Sequence, residues 1–242
     1  MNFNNQYRPG GFGVLPLVTK NIIIINVILF FLTGILRTKG IDLTAILGLH
    51  DIASQNFRPH QFVTYIFMHA DFRHIFFNMF GLFLFGQVLE FYWGPKRFLI
   101  FYMLTGLGAA LVQFFIMHLQ VSDALAALDY MNQSSDLTAA QRMMLFEQRD
   151  EVLRNSVVVG ASGSLFGLLG AFGMLFPNRD IYLYFLFPIK AKWLVTFYGL
   201  SELIAGIRNN PLDNVAHFAH IGGLLVGVLI VLIWRKDRRH LY

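Results

Sequence analysis

The sequence predicts an all-α membrane protein, a bundle of six transmembrane helices, on three observations. Hydrophobic residues make up 56% of the 242 and charged residues only 14%, where a soluble domain carries about 25% charged residues. Mean hydropathy is +0.55 and 26 residues are Phe, more apolar surface than one core of this length can hide from solvent. Six apolar runs are candidates to cross roughly 30 Å of hydrocarbon.

The first run is Val18 to Leu36, the second Phe72 to Trp93 and the third Phe98 to His118. The fourth is Val157 to Pro177, the fifth Lys192 to Ile207 and the sixth Val215 to Trp234. The fifth is the weakest, because Pro188, Lys190 and Lys192 separate it from the apolar stretch Ile181 to Phe187, which reads as interfacial. Between the first two runs, Ile41, Leu43, Ile46, Leu47 and Leu49 fit short amphipathic helices on the membrane surface. The connection Val121 to Asn155 is more polar, and Asp136 to Leu153 reads as a soluble helix capped near Ser134 or Ser135. The chain thus divides into a short cytoplasmic segment 1–17, a membrane domain 18–234 carrying an extracytoplasmic insertion 121–155, and a basic cytoplasmic tail 235–242.

Charge sets the expected orientation. Eleven Lys and Arg fall on one side (positions 8, 20, 96, 97, 179, 190, 192, 235, 236, 238 and 239) and eight on the other, which puts both termini in the cytoplasm by the positive-inside tendency. The stretch 1–20 is polar and glycine-rich, and no small-residue cleavage site follows the first run. That reads as a multi-pass protein of a prokaryotic plasma (inner) membrane without a signal peptide. Net charge is +5, but the basic residues are scattered through loops and tail, which argues against nucleic acid as a partner. With no cysteine, a thiol nucleophile and Cys-ligated zinc are excluded.

Polar groups inside apolar spans are expensive and need either a buried partner or a function. Gly160-Ala161-Ser162-Gly163, with Gly167 and Gly170 behind, is first of all the small-residue contact face of packed membrane helices. The same glycines would leave Ser162 uncrowded as a nucleophile. His217 and His220 share a helix face, but no His-Glu-x-x-His pattern or carboxylate pair completes a metal site, so no metal is expected. A neutral imidazole is instead the usual base for a hydroxyl, and His220, just before Gly222-Gly223, is the candidate. His74 and Asn78 are spaced i, i+4 on one face; they either tie helices together or form an oxyanion hole.

Depth joins these signals. Ser162 and His220 each lie about 7.5 Å, and Asn78 about 9 Å, into spans that start on the same outer face. A nucleophile, a base and an amide donor could therefore meet in one notch, whereas unrelated packing residues need share no depth.

These residues resemble the rhomboid family of intramembrane serine proteases over about residues 18 to 234. Gly160 to Gly163 is similar to that family's Gly-x-Ser-Gly motif, Ala219 to Gly223 to its Ala-His-x-x-Gly motif, and His74 to Asn78 to its His-x-x-x-Asn motif. Gly86 to Gly94, with Glu90 between, resembles the end of its second span. The resemblance implies a Ser162–His220 dyad without a third acid or any cofactor. It also implies an oxyanion hole from the Ser162 backbone N–H, Asn78 and His74. Phe166, four residues after the nucleophile, would pack beneath the base. Departures are His60-Gln61, where the family commonly has Trp-Arg or Trp-Gln, and the length of the 121–155 insertion. The resemblance further implies substrate passage past span five, with Trp193, Phe197 and Tyr198 flanking a gate beneath a cap at Ile207 to Asn214.

The expected function is a rhomboid-type serine endopeptidase, a hydrolase acting on transmembrane protein substrates in the lipid bilayer near its outer surface. The alternatives are a catalytically inactive rhomboid-like binding or quality-control protein and a small transporter; no inverted repeat supports the latter. His69 would admit water or hold the first loop. His50, His118 and His240 have no motif context, Glu202 in span five reads as a buried hydrogen-bonding residue, and none of them is given a role.

Overall fold

A computed structural model describes residues 15–183, 186–208 and 215–239. Most of the expected segment 1–17, the expected cap after Arg208 and the last residues of the basic tail lie outside the described residues. Helix α1, Leu17–Arg37, has no side-chain cap of its own. Its first amides are met by Glu90 from a later helix: Val18 and Thr19 N–H donate to the carboxylate at 2.9 and 2.7 Å, and the Thr19 hydroxyl donates at 2.7 Å. A buried carboxylate at a helix N-terminus satisfies orphan donors and complements the helix dipole.

The segment after α1 holds two short helices, α2 (Leu43–Leu47) and α3 (Gln61–Thr64), with strand β1 (Leu49–His50) between them. Gln61 is fully buried and organises this segment. Its carbonyl accepts from the His50 and Arg58 amides, and its amide donates to the carbonyls of Ile46 and Asn56. His60 Nε2 lies 3.0 Å from the Ile46 carbonyl. The His60-Gln61 pair therefore ties the loop to the bundle by hydrogen bonds, without an aromatic anchor. Asp51, also buried, faces His118 Nδ1 at 3.0 Å and pins the loop to the third span.

The second expected span, Phe72 to Trp93, is present but not uniform: α4 (Phe72–Gly81) and α5 (Gln87–Trp93) flank a π-helical segment, Leu82–Gly86. Asp71 caps α4, accepting from the His74 N–H at 2.9 Å. After Gly94, whose φ of +80° suits glycine, Pro95 opens α6.

Helix α6 corrects the expected third span. It runs Pro95–Asn132, 38 residues, about 57 Å at 1.5 Å per residue, because Ala124-Leu-Ala-Ala-Leu128 contains strong helix formers and no breaker. The 121–155 insertion is therefore largely a helical hairpin, in which α7 (Ala139–Asn155) returns along α6 and Arg149 pairs with Asp129 at 2.7 Å. The cap of α7 is Thr138, in a capping box with Gln141, instead of Ser134 or Ser135.

The fourth span is also corrected. Val157–Val158 forms strand β2, antiparallel to β1, and α8 begins only at Ser162 and ends at Leu175. β-branched Val157, Val158 and Val159 favour extended backbone, and Gly160 turns the chain with φ +125°. At 14 residues α8 is short for a bilayer, and ten of them are buried against the neighbouring helices. Strands β3 (Asp180–Leu183) and β4 (Phe187–Lys190) pair as a hairpin over the stretch read as interfacial. Helices α9 (Ala191–Arg208) and α10 (His217–Arg239) follow.

Among the described residues, α1, the α4–α5 segment, α6 and α10 are long and apolar enough to cross a membrane. Helix α9 carries Lys192, Glu202 and Arg208. The protein spans the membrane several times, with Phe98, Phe101, Tyr102 and Leu168 in its core and Ile28, Phe31, Phe77, Phe115 and Leu229 turned outward.

The glycines draw α8, α10 and α6 together. A Cβ on Gly227 would lie 2.6 Å from the Gly167 carbonyl oxygen, one on Gly223 would fall on the Gly163 carbonyl, and one on Gly222 would lie 2.8 Å from Val112 Cβ. Such backbone approach is what small residues provide between membrane helices.

Candidate active site

Because α8 and α10 touch backbone to backbone, side chains near their N-termini are forced together. His220 Nε2 lies 2.8 Å from Ser162 Oγ. Phe166, one turn below Ser162, stacks flat on the His220 ring, centroids 4.3 Å apart and planes at 6°. The Ala219 N–H, at the start of α10, donates to Gln113 Oε1 of α6 at 3.1 Å, which fixes the first turn carrying His220. Ser162 is the first residue of α8 and follows an Ala161 cap without a side-chain acceptor. Its N–H belongs to the helix-terminal amides that have no partner within the helix and carry partial positive charge.

From α4, Asn78 and His74 reach the same place. Asn78 is buried, and its side-chain nitrogen has no hydrogen-bond partner among the described residues. His74 lies against Gly160, where a Cβ would come 2.6 Å from its Nε2. Glycine is needed here twice, for the positive φ and for the space. The Ala70 N–H points to His74 Nδ1 at 3.5 Å, so Nδ1 is the acceptor and Nε2 carries the proton. Ser162, His220, His74 and Asn78 all line one open cleft of about 1090 Å³, together with His217 and Gln113.

His69 does not reach Ser162. It is buried with its ring 5.0 Å from that of His74, edge to face. Burial, and next the neighbouring His74, push its imidazole down to about 3, so it stays neutral. Trp193, Phe197 and Tyr198 are exposed on α9 and lie outside the cleft. Trp193 stands about 14 Å from Glu202 along the helix at 1.5 Å per residue.

Glu202 is the residue that sequence reasoning passed over. One of its carboxylate oxygens, Oε2, lies 2.6 Å from His217 Nδ1 and 2.8 Å from His220 Nδ1. The signal that could have found it is an acidic residue inside an apolar run, five residues from the end of that run.

Fold and site together define a multi-pass helical membrane protein with a serine–histidine pair in an open cleft between helices. The Rhomboid domain family model matches residues 56–237, and the chain belongs to the rhomboid family. It is 29% identical over 181 residues to the putative rhomboid protease YdcA of Bacillus subtilis, covering 74% of this chain and 69% of that protein. It is 27% identical over 169 residues to rhomboid protease AarA of Providencia stuartii (69% and 53%) and 28% over 185 residues to the chloroplastic Rhomboid-like protein 11 of Arabidopsis thaliana (73% and 53%). The chain spans about half the length of the first curated relatives it matches.

Proposed function

We propose that this protein is an intramembrane serine endopeptidase that cleaves transmembrane segments of other membrane proteins. The observation that carries the reading is the 2.8 Å contact of His220 Nε2 with Ser162 Oγ beside the unpartnered Asn78 amide. Ser162 attacks the peptide carbonyl while His220 takes its proton and returns it to the leaving amine, forming an acyl-enzyme that water then hydrolyses. Asn78 Nδ2, His74 Nε2–H and the Ser162 N–H hold the developing oxyanion. Phe166 fixes the plane of the base. The names of the bacterial relatives, both rhomboid proteases, support the same reading.

In this reading six helices, α1, the α4–α5 segment, α6, α8, α9 and α10, cross a prokaryotic plasma membrane with both termini inside. Residues 18–234 form the membrane domain. The cleft opens near the outer surface, and substrate comes in past α9, where Trp193 and Phe197 are exposed to lipid. A helix hides its peptide bonds in internal hydrogen bonds, so the substrate must unwind locally, at small or helix-breaking residues.

The test is cleavage of a transmembrane model substrate, and labelling by a serine-directed fluorophosphonate, by detergent-purified protein. Wild type should cleave and label, while Ser162→Ala and His220→Ala should lose about 10⁴-fold or more in turnover. Equal cleavage by Ser162→Ala overturns the nucleophile; no labelling of any form points to a binding protein instead.

A further inference from the structure

Helix α9 brings one ionisable side chain to the back of the candidate base. Glu202 Oε2 sits 2.6 Å from His217 Nδ1, an aligned hydrogen bond, and 2.8 Å from His220 Nδ1. The second contact is close but not aligned as an N–H hydrogen bond. An oxygen of a carboxylate is acceptor only, so the aligned contact puts a proton on His217 Nδ1, and at 2.8 Å the same oxygen favours a proton over a lone pair on His220 Nδ1. A proton on His220 Nδ1 leaves Nε2 as the lone pair facing Ser162 Oγ, which is the tautomer a general base needs. The carboxylate is largely shielded, its side chain 15% exposed, where a charge acts more strongly than in water.

We propose that Glu202 is a positioning residue for the reaction: it holds His220 in the Nδ1–H tautomer and balances the positive charge that His220 gains when Ser162 is deprotonated. The proton moves from Ser162 Oγ to His220 Nε2 and then to the leaving amine. Glu202 stays ionised throughout, and its contact with His220 shortens the path of no atom. His217 anchors the carboxylate from the same face of α10. The inference rests on the protease reading above and adds to it a third group supplied by a different helix.

The titratable groups around His220 are Ser162 on α8, Glu202 on α9, His217 on α10 and, across the same cleft, His74 on α4. Only Glu202 among them is anionic. A simple tie between α9 and α10 would also place a carboxylate against His217, but it would give no reason for the same oxygen to reach His220.

The test uses the full chain in detergent with wild type, Glu202→Gln, Glu202→Asp and Ser162→Ala. Glu202→Gln should lower kcat about 10- to 100-fold with KM changed less than about threefold, and should move the acidic limb of the kcat/KM profile about one pH unit lower. That shift has the sign expected when the anion that favours the imidazolium is removed. Glu202→Asp should recover most of kcat. ¹⁵N spectra of labelled histidine read the same point without turnover: His220 should be Nδ1-protonated in wild type and a mixture of tautomers in Glu202→Gln. Wild-type kcat and pH profile in Glu202→Gln, or a loss of kcat that follows only thermal stability with the profile unmoved, overturns the role of Glu202 while leaving the dyad standing. An unchanged His220 tautomer in Glu202→Gln overturns it as well. Cleavage by Ser162→Ala at the wild-type rate instead removes the protease reading itself.

Discussion

Helix α8 and helix α9 lie side by side near the same cleft, yet they are built on opposite terms. Ten of the 14 residues of α8 are buried, and its glycines meet the backbone of α10 and the Ala109 and Thr105 side chains of α6. Only Ala191, Leu194 and Gly206 are buried among the 18 of α9, whose outer face carries Trp193, Phe197, Leu200 and Ile207. The difference separates two tasks. Under the proposed reaction Ser162 and His220 must keep their 2.8 Å contact, which close-packed backbone holds best. A surface turned to lipid needs only apolar side chains, and its positions tolerate change.

The comparison can be broken most sharply at the proposed oxyanion donors. Asn78→Ala should lower kcat about 10²- to 10³-fold with KM little changed, a loss of about 2.7 to 4 kcal/mol of transition-state stabilisation, read by steady-state cleavage of a transmembrane substrate. An equal loss through KM alone would make Asn78 a helix tie.

Acid should expose the next contrast. The His69 imidazole lies at about 3 in the folded protein against an ordinary 6.5. Between those values only the unfolded chain takes up the proton, so stability is full above about pH 6.5 and falls as pH drops toward 3. Wild type should lose on the order of a few kcal/mol over that window, whereas His69→Phe should lose less. Thermal unfolding in detergent across the pH series measures it.

Gly227→Ala puts a methyl against the Gly167 carbonyl and should cost about 1–3 kcal/mol by overpacking, with turnover falling as the α8–α10 spacing opens. Removing the α4 cap, Asp71→Ala, should cost about 1 kcal/mol, seen as a lower Tm. The smallest effect belongs to α9: Phe197→Ala should change stability by no more than about 0.5 kcal/mol. If Phe197→Ala destabilises as much as Gly227→Ala, the division between a packed interior pair and an outward-facing helix fails.

Much of this was legible in the sequence. Apolar runs 18–36, 72–93 and 215–234 each become helix over nearly the expected residues, because the length of an uninterrupted apolar stretch is a property of the sequence alone. The site residues were legible as polar groups in apolar runs, and three helices do bring Ser162, His220 and Asn78 to one cleft; the expected depth of Ser162 does not hold, since it opens α8. What escaped were features that depend on a neighbour. The late start of α8 follows from β1–β2 pairing with Leu49 and His50, more than a hundred residues earlier. The reach of α6 to Asn132 crosses a polar boundary after His118 that holds no helix breaker, so the helix continues past the apolar run. Gln61, in a pair that departs from the family's usual residues, turns out to be the buried centre of the first loop.

The sequence by itself determined that this chain is a multi-helix membrane protein and which hydroxyl, imidazole and amide stand as polar groups in apolar runs, because hydrophobic length and residue type are local quantities. Only the tertiary structure decided that His220 faces Ser162 with one nitrogen and Glu202 with the other. That choice is made by the rotation of α8, α9 and α10 about their axes. Rotation is set by which glycine meets which backbone, a contact between residues remote in the chain that no local pattern encodes.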